Sequence, residues 1–486
     1  MSGFRWTAEK VARALESVRA AGEGVLPSGN AGRAATADLV FSGISTDTRK
    51  IEAGSLFVAL KGESFDAHDF LARAAEAGAA GAVVSRIPDG APETLVYYRV
   101  TDTLHALGAL GRHRRRALAC RVVAVAGSNG KTTTKDLLRA ALSPKFRVHA
   151  TTGNLNNQVG APLTLLATPD DAEVVVVEVG TNEPGEITLL GAIVEPSVVV
   201  ITSIGEEHLE GLGSVEGVLE EELSILPHLR EGGIAVMAED PPELPGRAAE
   251  VIGGGRLRVA GLGERADVRP DGGAEGIEVA PGGATRWSFR GVRVELPLPG
   301  MHNVRNALIA LGVSTELGVP VEDSAASIAA MPAPKMRSEW RRVGTLSVLA
   351  DCYNANPPST RAAIDLLASL PSEGGKVAVL GTMRELGGHA AELHRGVLLG
   401  ALGRLGNGID RVVATGDFVA AARELGAGEG VIAVEDPLEA YAALRPTLTG
   451  NETILLKGSR GVALERLIPL LENDFATDTA TAHAGS

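Results

Sequence analysis

Apolar positions along this chain gather into short dense runs, separated by amphipathic stretches and glycine turns. That is the pattern of parallel strands buried on both faces and covered by helices. Its sharpest instance is the predicted strand Arg121–Ala126, a glycine turn, and a predicted helix over Thr132–Leu142. Ala172–Val177 and Val198–Thr202 predict further strands, and a long helix is expected near 215–228. The glycine-rich interval 252–274 interrupts the alternation, and Arg286–Leu298, with its alternating VRVEL, predicts hairpin segments on the same domain.

Either side of this region the pattern changes. Gly43–Phe70 carries short extended pieces, such as Ser55–Leu60, between polar turns; an alanine-rich helix around Phe70–Ala79 then leads into a buried strand at Ala80–Val84. Beyond Met331, four strand candidates alternate with helical stretches and predict a Rossmann-like sheet: Leu346–Asp351, Lys376–Leu380, Arg411–Thr415 and Thr453–Leu456. The expected architecture is α/β in three domains, 1–115, 116–330 and 331–470, with a parallel central sheet. A flexible tail over 471–486 is expected because Thr477–Ser486 lacks periodicity.

Length agrees, since 486 residues amount to roughly three domains at about 150 residues each. The formal charge of −14 and an aromatic content of 3% argue against an extended nucleic-acid surface. The basic run Arg112–Arg116 is the exception, and is expected at an interdomain surface. No stretch approaches the roughly 18 uncharged apolar residues of a membrane span. The N-terminus has an early helical pattern without an apolar signal region, so secretion is not expected. Cys120 and Cys352 fall in or beside apolar runs, suit a reducing compartment and form no metal pattern.

The strongest chemical signal is Val122–Lys135, VVAVAGSNGKTTTK. Gly127 and Gly130 permit the tight turn by which strand, loop and helix start wrap backbone N–H groups round a triphosphate. Only Ser128 and Asn129 separate the two glycines, fewer than in GxxxxGK[ST], so the match rests on Gly-Lys-Thr and the strand before it. Lys131 would reach the β and γ phosphates of ATP, Thr132 would offer a hydroxyl to Mg²⁺, and Thr133 could do the same for a neighbouring phosphate. Helix capping by the threonines beside a solvated lysine is the plainer alternative, and it leaves the glycines unexplained. Glu178 closes VVVVE at the carboxyl edge of the sheet, where α/β ligand sites form, and His208 follows VVVITSI. These two either hold or orient a divalent ion, or solvate turns. In TGNLNNQVGAPLT, Asn154, Asn156, Asn157 and Gln158 either build turns or converge donors on an anionic or peptide substrate.

In order along the chain, AGSNGKTTTK, GNLNNQVGAPLTLL, EVGTNEPGEI, HLEGLGS, GMHNVRNALIA, DCYNANPPST, LGTMRELG and LLKGSRG resemble the Mur ligase family over nearly all of residues 40–465. The resemblance implies a cytoplasmic, monomeric, ATP- and Mg²⁺-dependent ligase of peptidoglycan precursor synthesis. YNANP, GNLNN and STDTR…GSLFVAL…FDAHDF are more similar to the member that adds D-alanyl-D-alanine to UDP-N-acetylmuramoyl-tripeptide than to its siblings. By the same resemblance, Gly127–Thr133 is the nucleotide loop, Glu178 and His208 bind magnesium, and Asn306 lies on the adenine side with His302 and Asn303 nearby. Arg337 and Asp351 serve the ATP phosphates and ribose, while Ser45, Asp47 and Arg49 serve the nucleotide half of the acceptor. Other readings are a sibling ligase acting on another amino acid or on folate, and a nucleotide-gated binding module without chemistry.

Some positions depart from the family. A carbamylated lysine usually follows the magnesium histidine by fourteen residues; here Glu222 stands there, expected to supply a permanent anionic ligand but with a carboxyl carbon three bonds nearer the backbone. Glu220, Glu221 and Glu222 otherwise make an acidic helical face. Ala126, Thr382 and Ala350 replace a threonine and two aspartates.

Overall fold

Alternate residues of the central strands feed two different cores, which is why these strands read as continuous apolar runs. Val123, Val125, Val174 and Val200 pack with Leu137 and Leu138 of helix Lys131–Leu142 and with helix Met301–Glu316. Val122, Ala124, Val177 and Ile201 pack on the opposite side with Leu190 of helix Glu186–Val194 and Leu219 of helix Val215–Leu223. The computed structural model describes residues 4–18, 39–62, 64–280 and 283–475.

The central sheet has six parallel strands in the order Arg256–Ala260, Ile234–Ala238, Val198–Ile201, Arg121–Ala126, Val174–Glu178, Val148–Ala150. From Arg121–Ala126 the chain crosses first to one side of that strand and later to the other. The loops after Ala126, Glu178 and Ile201 therefore meet at the carboxyl edge beside the switch point.

An amino-terminal sheet of four parallel strands, Ile44–Ser45, Leu56–Val58, Gly81–Val84 and Val96–Arg99, precedes it. The carboxy-terminal sheet orders Glu339–Val343, Leu346–Asp351, Thr453–Lys457, Lys376–Leu380, Arg411–Ala414 and Val431–Ala433, with only the first strand antiparallel.

Three expectations change. Within the glycine-rich interval, Arg256–Ala260 is a strand that extends the central sheet, following a helix ended by Gly253 at φ 54°. The helix expected near 215–228 stops at Leu223, and Pro227 lies in a separate 3-10 turn, Leu226–His228, because proline cannot donate to a continuing helix. Residues 471–475 belong to helix Leu467–Phe475, where Leu471 is buried, and not to a tail; 476–486 lie outside the described residues.

The hairpin Thr285–Phe289 and Val292–Leu296 forms as expected, within a three-stranded antiparallel sheet. The basic run ends helix Thr103–Ala117 and joins it to the central unit. Arg115 is fully buried and donates to the Val194 and Glu195 carbonyls at 2.8 and 2.9 Å, while Arg112 and Arg116 pair with the Glu195 carboxylate. Among the described residues no helix is long and apolar enough to cross a membrane.

Candidate active site

The loop after Arg121–Ala126 turns through Gly127 and Gly130 at φ 113° and 84°, a region open mainly to glycine. Space demands glycine as well. A Cβ at Gly127 would lie 2.5 Å from Thr202 Oγ1, and one at Gly130 2.5 Å from Asn306 Oδ1. Helix Lys131–Leu142 begins immediately afterwards, so its free N–H groups face the space above the loop.

That space is a cavity of about 790 Å³ between the central and carboxy-terminal units. It brings together Ser128, Asn129, Gly130, Lys131, Thr132, Thr133, Glu178 and His208 with Asn306, Arg337 and Asp351, and with Asn154, Asn156 and Asn157. Asn156 donates to Glu178 Oε1 at 3.0 Å, whereas Asn157 Oδ1 accepts the Val159 and Gly160 N–H groups at a helix start. Turn and site readings of this segment thus divide by residue. Asn306 donates to Asn303 Oδ1 at 3.3 Å within the buried face of its helix, and His302 meets Ser338 Oγ at 3.3 Å. Burial holds the His302 imidazole below its ordinary pKa.

From the carboxy-terminal sheet, the register that pairs Asp351 with Lys457 sets their side chains 3.0 Å apart. Asp351 also accepts the Ser338 N–H at 3.2 Å, and the Arg337 guanidinium lies 4.1 Å from the Tyr353 ring centroid.

Lys131 does not reach freely into the cavity. Its ammonium donates to the Gly127 and Ser128 carbonyls at 2.6 and 3.2 Å and to Glu207 Oε1 at 3.1 Å. Burial opposes its charge, but Glu207 and Glu222 outweigh burial and hold its pKa above the usual lysine value. His208, at φ 51°, sets Nδ1 2.8 Å from Glu385 Oε2 in ion-pair contact without hydrogen-bond alignment. Burial lowers its pKa, yet the carboxylates of Glu385 and Glu207 raise it overall.

Glu178 has the chemistry of a cation ligand. Oε1 accepts from Thr132 and Asn156 at 3.1 and 3.0 Å, but the buried Oε2 has no partner. A carboxylate with one stranded oxygen beside a threonine hydroxyl fits Mg²⁺, which commonly takes only one or two protein carboxylates and completes its shell with phosphate and water. A cage is absent: no group of three or more His, Cys, Asp or Glu among the described residues is arranged to hold a metal.

Glu222 departs from its expected place. It is fully buried behind the loop, outside the cavity lining, and Oε2 accepts the Gly127 N–H at 2.7 Å. Its short side chain ends at the loop backbone, so it braces the loop where a metal ligand was expected. Burial pushes its carboxyl up to about 7 despite Lys131 nearby.

Ser45, Asp47 and Arg49 also lie outside this cavity. Asp47 caps the 3-10 turn Thr48–Lys50 and pairs with Arg49 at 2.8 Å, while the Asp47 N–H donates to Ser45 Oγ at 3.2 Å. Hydrogen bonds from Arg49 hold the Asp47 carboxyl down to about 2.

Family models match all three regions: "Mur ligase family, catalytic domain" over residues 40–115, "Mur ligase middle domain" over 125–314 and "Mur ligase, glutamate ligase domain" over 336–460. The UDP-N-acetylmuramoyl-tripeptide–D-alanyl-D-alanine ligase of Bacillus subtilis is 36% identical over 439 residues, covering 88% of this chain and 93% of that protein. The chain belongs to the Mur ligase family. A crystal structure of MurF from Acinetobacter baumannii superposes on this Mur ligase with a TM-score of 0.85 at 30% identity, covering 97% of this chain and all of the other. MurF of Thermotoga maritima in complex with ADP gives 0.77 at 27% identity, covering 89% of this chain and 97% of that one.

Among the residues of this Mur ligase that reach the site without having been singled out in the sequence are Glu207, Glu385 and Lys457 on the cavity lining, and Asn356, which hydrogen-bonds to Glu207. Asn356 lay within DCYNANPPST and Lys457 within LLKGSRG, so the motif residues themselves were the available signal. Glu207 had only its position beside His208.

Proposed function

We propose that this Mur ligase joins D-alanyl-D-alanine to UDP-N-acetylmuramoyl-tripeptide, converting ATP to ADP and phosphate. The observation that carries the reading is the glycine-cradled loop with Lys131 and the half-satisfied Glu178, facing Asp351, Lys457 and Arg337 of a second sheet across one cavity. The names of the relatives above support the substrates, and the ADP complex of the Thermotoga relative supports the nucleotide.

A free carboxylate cannot yield an amide efficiently, because its oxygen is a poor leaving group. The acceptor carboxylate therefore attacks the γ-phosphorus of ATP in line, giving an acyl phosphate and ADP. The amine of the dipeptide then attacks the acyl carbon, and phosphate leaves from the tetrahedral intermediate. In the first step the loop N–H groups and Lys131 offset charge on the transferring phosphoryl group. Mg²⁺, held by Thr132 and Glu178 with His208 near, would supply further neutralisation of phosphate charge. Asn306 and His302 flank the base, and Asp351 and Arg337 serve ribose and phosphates. Asn154 and Asn156 line the acceptor side, with Asn157 holding their turn. Ser45, Asp47 and Arg49 engage the UDP end. No enzyme nucleophile is required, in keeping with two free, buried cysteines. Domains at 1–115, 116–330 and 331–475, action as a monomer and a cytoplasmic setting belong to the same proposal.

Mass spectrometry of a mixture containing the UDP-tripeptide, D-alanyl-D-alanine and ATP tests it. The pentapeptide nucleotide and ADP are expected together. ADP formed only with a single amino acid, or with glutamate and folate, would transfer the chain to a sibling activity, and absence of substrate-dependent ADP would leave a binding module.

A further inference from the structure

Glu207 has a buried carboxylate whose two oxygens are engaged by different parts of the molecule. Oε1 lies 3.1 Å from Lys131 Nζ, and Oε2 accepts from Asn356 Nδ2 at 3.2 Å. Asn356 caps helix Pro357–Ser369 of the carboxy-terminal unit, and the same amide nitrogen reaches Asn129 Oδ1 in the loop at 2.9 Å. With the Gly127 and Ser128 carbonyls, Glu207 accounts for three acceptors around an ammonium that has three N–H donors. In this state the donors of Lys131 are spent on the protein.

We infer that Glu207 is a positioning residue, which holds Lys131 back on the loop and ties that hold to docking of the carboxy-terminal unit through Asn356. The inference rests on the reading of the cavity as the ATP site. For Lys131 to meet the phosphates it must leave the carboxylate, and Glu207 then faces the incoming negative charge with Asn356 as its hydrogen-bond donor and His208 Nε2 3.7 Å from Oε1. Glu207 therefore weakens nucleotide binding and makes its strength depend on Asn356.

ATP titrations by calorimetry, with Mg²⁺ and separately with EDTA, test this on the full chain. Wild type must bind ATP in at least one condition; failure there removes the ATP-site reading itself. Glu207→Gln keeps the shape and an acceptor oxygen but loses the charge, and should bind ATP about 10-fold more tightly in both conditions, the scale of one charge-assisted hydrogen bond. Glu207→Asp, which retains charge, should return toward wild type. Asn356→Ala should shift ATP affinity in wild type and leave Glu207→Gln unchanged. Unchanged or weaker binding by Glu207→Gln, a change confined to the magnesium arm, or additive effects of the two substitutions would each overturn the inference. Should Glu207→Gln not fold, Asn356→Ala in the presence and absence of Lys131→Ala decides: a shift that requires Lys131 supports the coupling, and equal shifts refute it.

Discussion

Two polar turns follow parallel strands in this protein, and they treat their charges in opposite ways. At Ser45–Arg49 the carboxylate and guanidinium pair with each other at the surface, and the Arg49 side chain is 76% exposed. At Gly127–Thr133 the Lys131 side chain is 12% exposed, acidic groups surround it, and a nearby carboxylate oxygen has no partner. In the first turn, ligand must compete with water and with an existing ion pair, so each contact gains little. In the second, desolvation has already been imposed by the fold, and unmet bonding capacity waits at the edge of the sheet.

If this contrast is right, substitutions in the buried turn should dominate. Lys131→Ala should lower turnover by about 100-fold or more, the scale of one major electrostatic contact to a transition state, while circular dichroism stays that of the wild type. Near-normal turnover in the folded variant would remove the contrast at its root. Glu178→Gln keeps its size but loses its charge, and should raise the magnesium needed for half-maximal turnover by roughly 10- to 100-fold. An unchanged magnesium curve would give the stranded oxygen another purpose.

Glu222 sharpens the comparison through pH. Between its ordinary value of 4.5 and about 7 the folded chain retains a proton here that the unfolded chain has lost. Stability therefore falls as pH rises through that window and stays lower above it, by at most about 3.5 kcal/mol at roughly 1.4 kcal/mol per pKa unit. Glu222→Gln removes this linkage, so its melting midpoint relative to wild type should climb by several degrees from pH 5 to pH 8. Its magnesium curve should match wild type with or without bicarbonate, because the carboxylate braces Gly127. A parallel pH dependence in the two proteins would place the buried charge elsewhere.

The smallest effect is expected at the exposed turn. Arg49→Ala should weaken binding of the UDP-bearing acceptor by a few-fold and leave ATP affinity unchanged in separate titrations. Weaker ATP binding with normal acceptor binding would reverse the assignment of the two turns.

The same physics decided what could be read before the structure. Val122–Ala126 was legible because burial on both faces removes polar residues from that part of the strand, and the loop was legible because only glycine fits at 127 and 130. Arg256–Ala260 and Glu339–Val343 were missed, being edge strands that carry arginines or a glutamate and so break the apolar run. The position of Glu222 in the sequence was correct for its helix, but its reach depends on where that helix packs. Glu207 and Asn356 gained meaning only when two units distant in sequence met, which no local pattern encodes.

The arginines that end helix Thr103–Ala117 have a consequence for how the molecule comes apart. Arg115 cannot leave the Val194 and Glu195 carbonyls without stranding a guanidinium between separated surfaces, so the amino-terminal and central sheets are committed to one another. The carboxy-terminal unit meets the central one around the cavity, through polar contacts such as Arg361 to Glu206 and Asn356 to Glu207 and one small apolar cluster in which Leu393 packs on Leu209, Leu212 and Val218. Scanning calorimetry should then register two cooperative blocks for three sheets, and proteolytic nicking near residue 333 should release the last sheet while the first two remain a single particle.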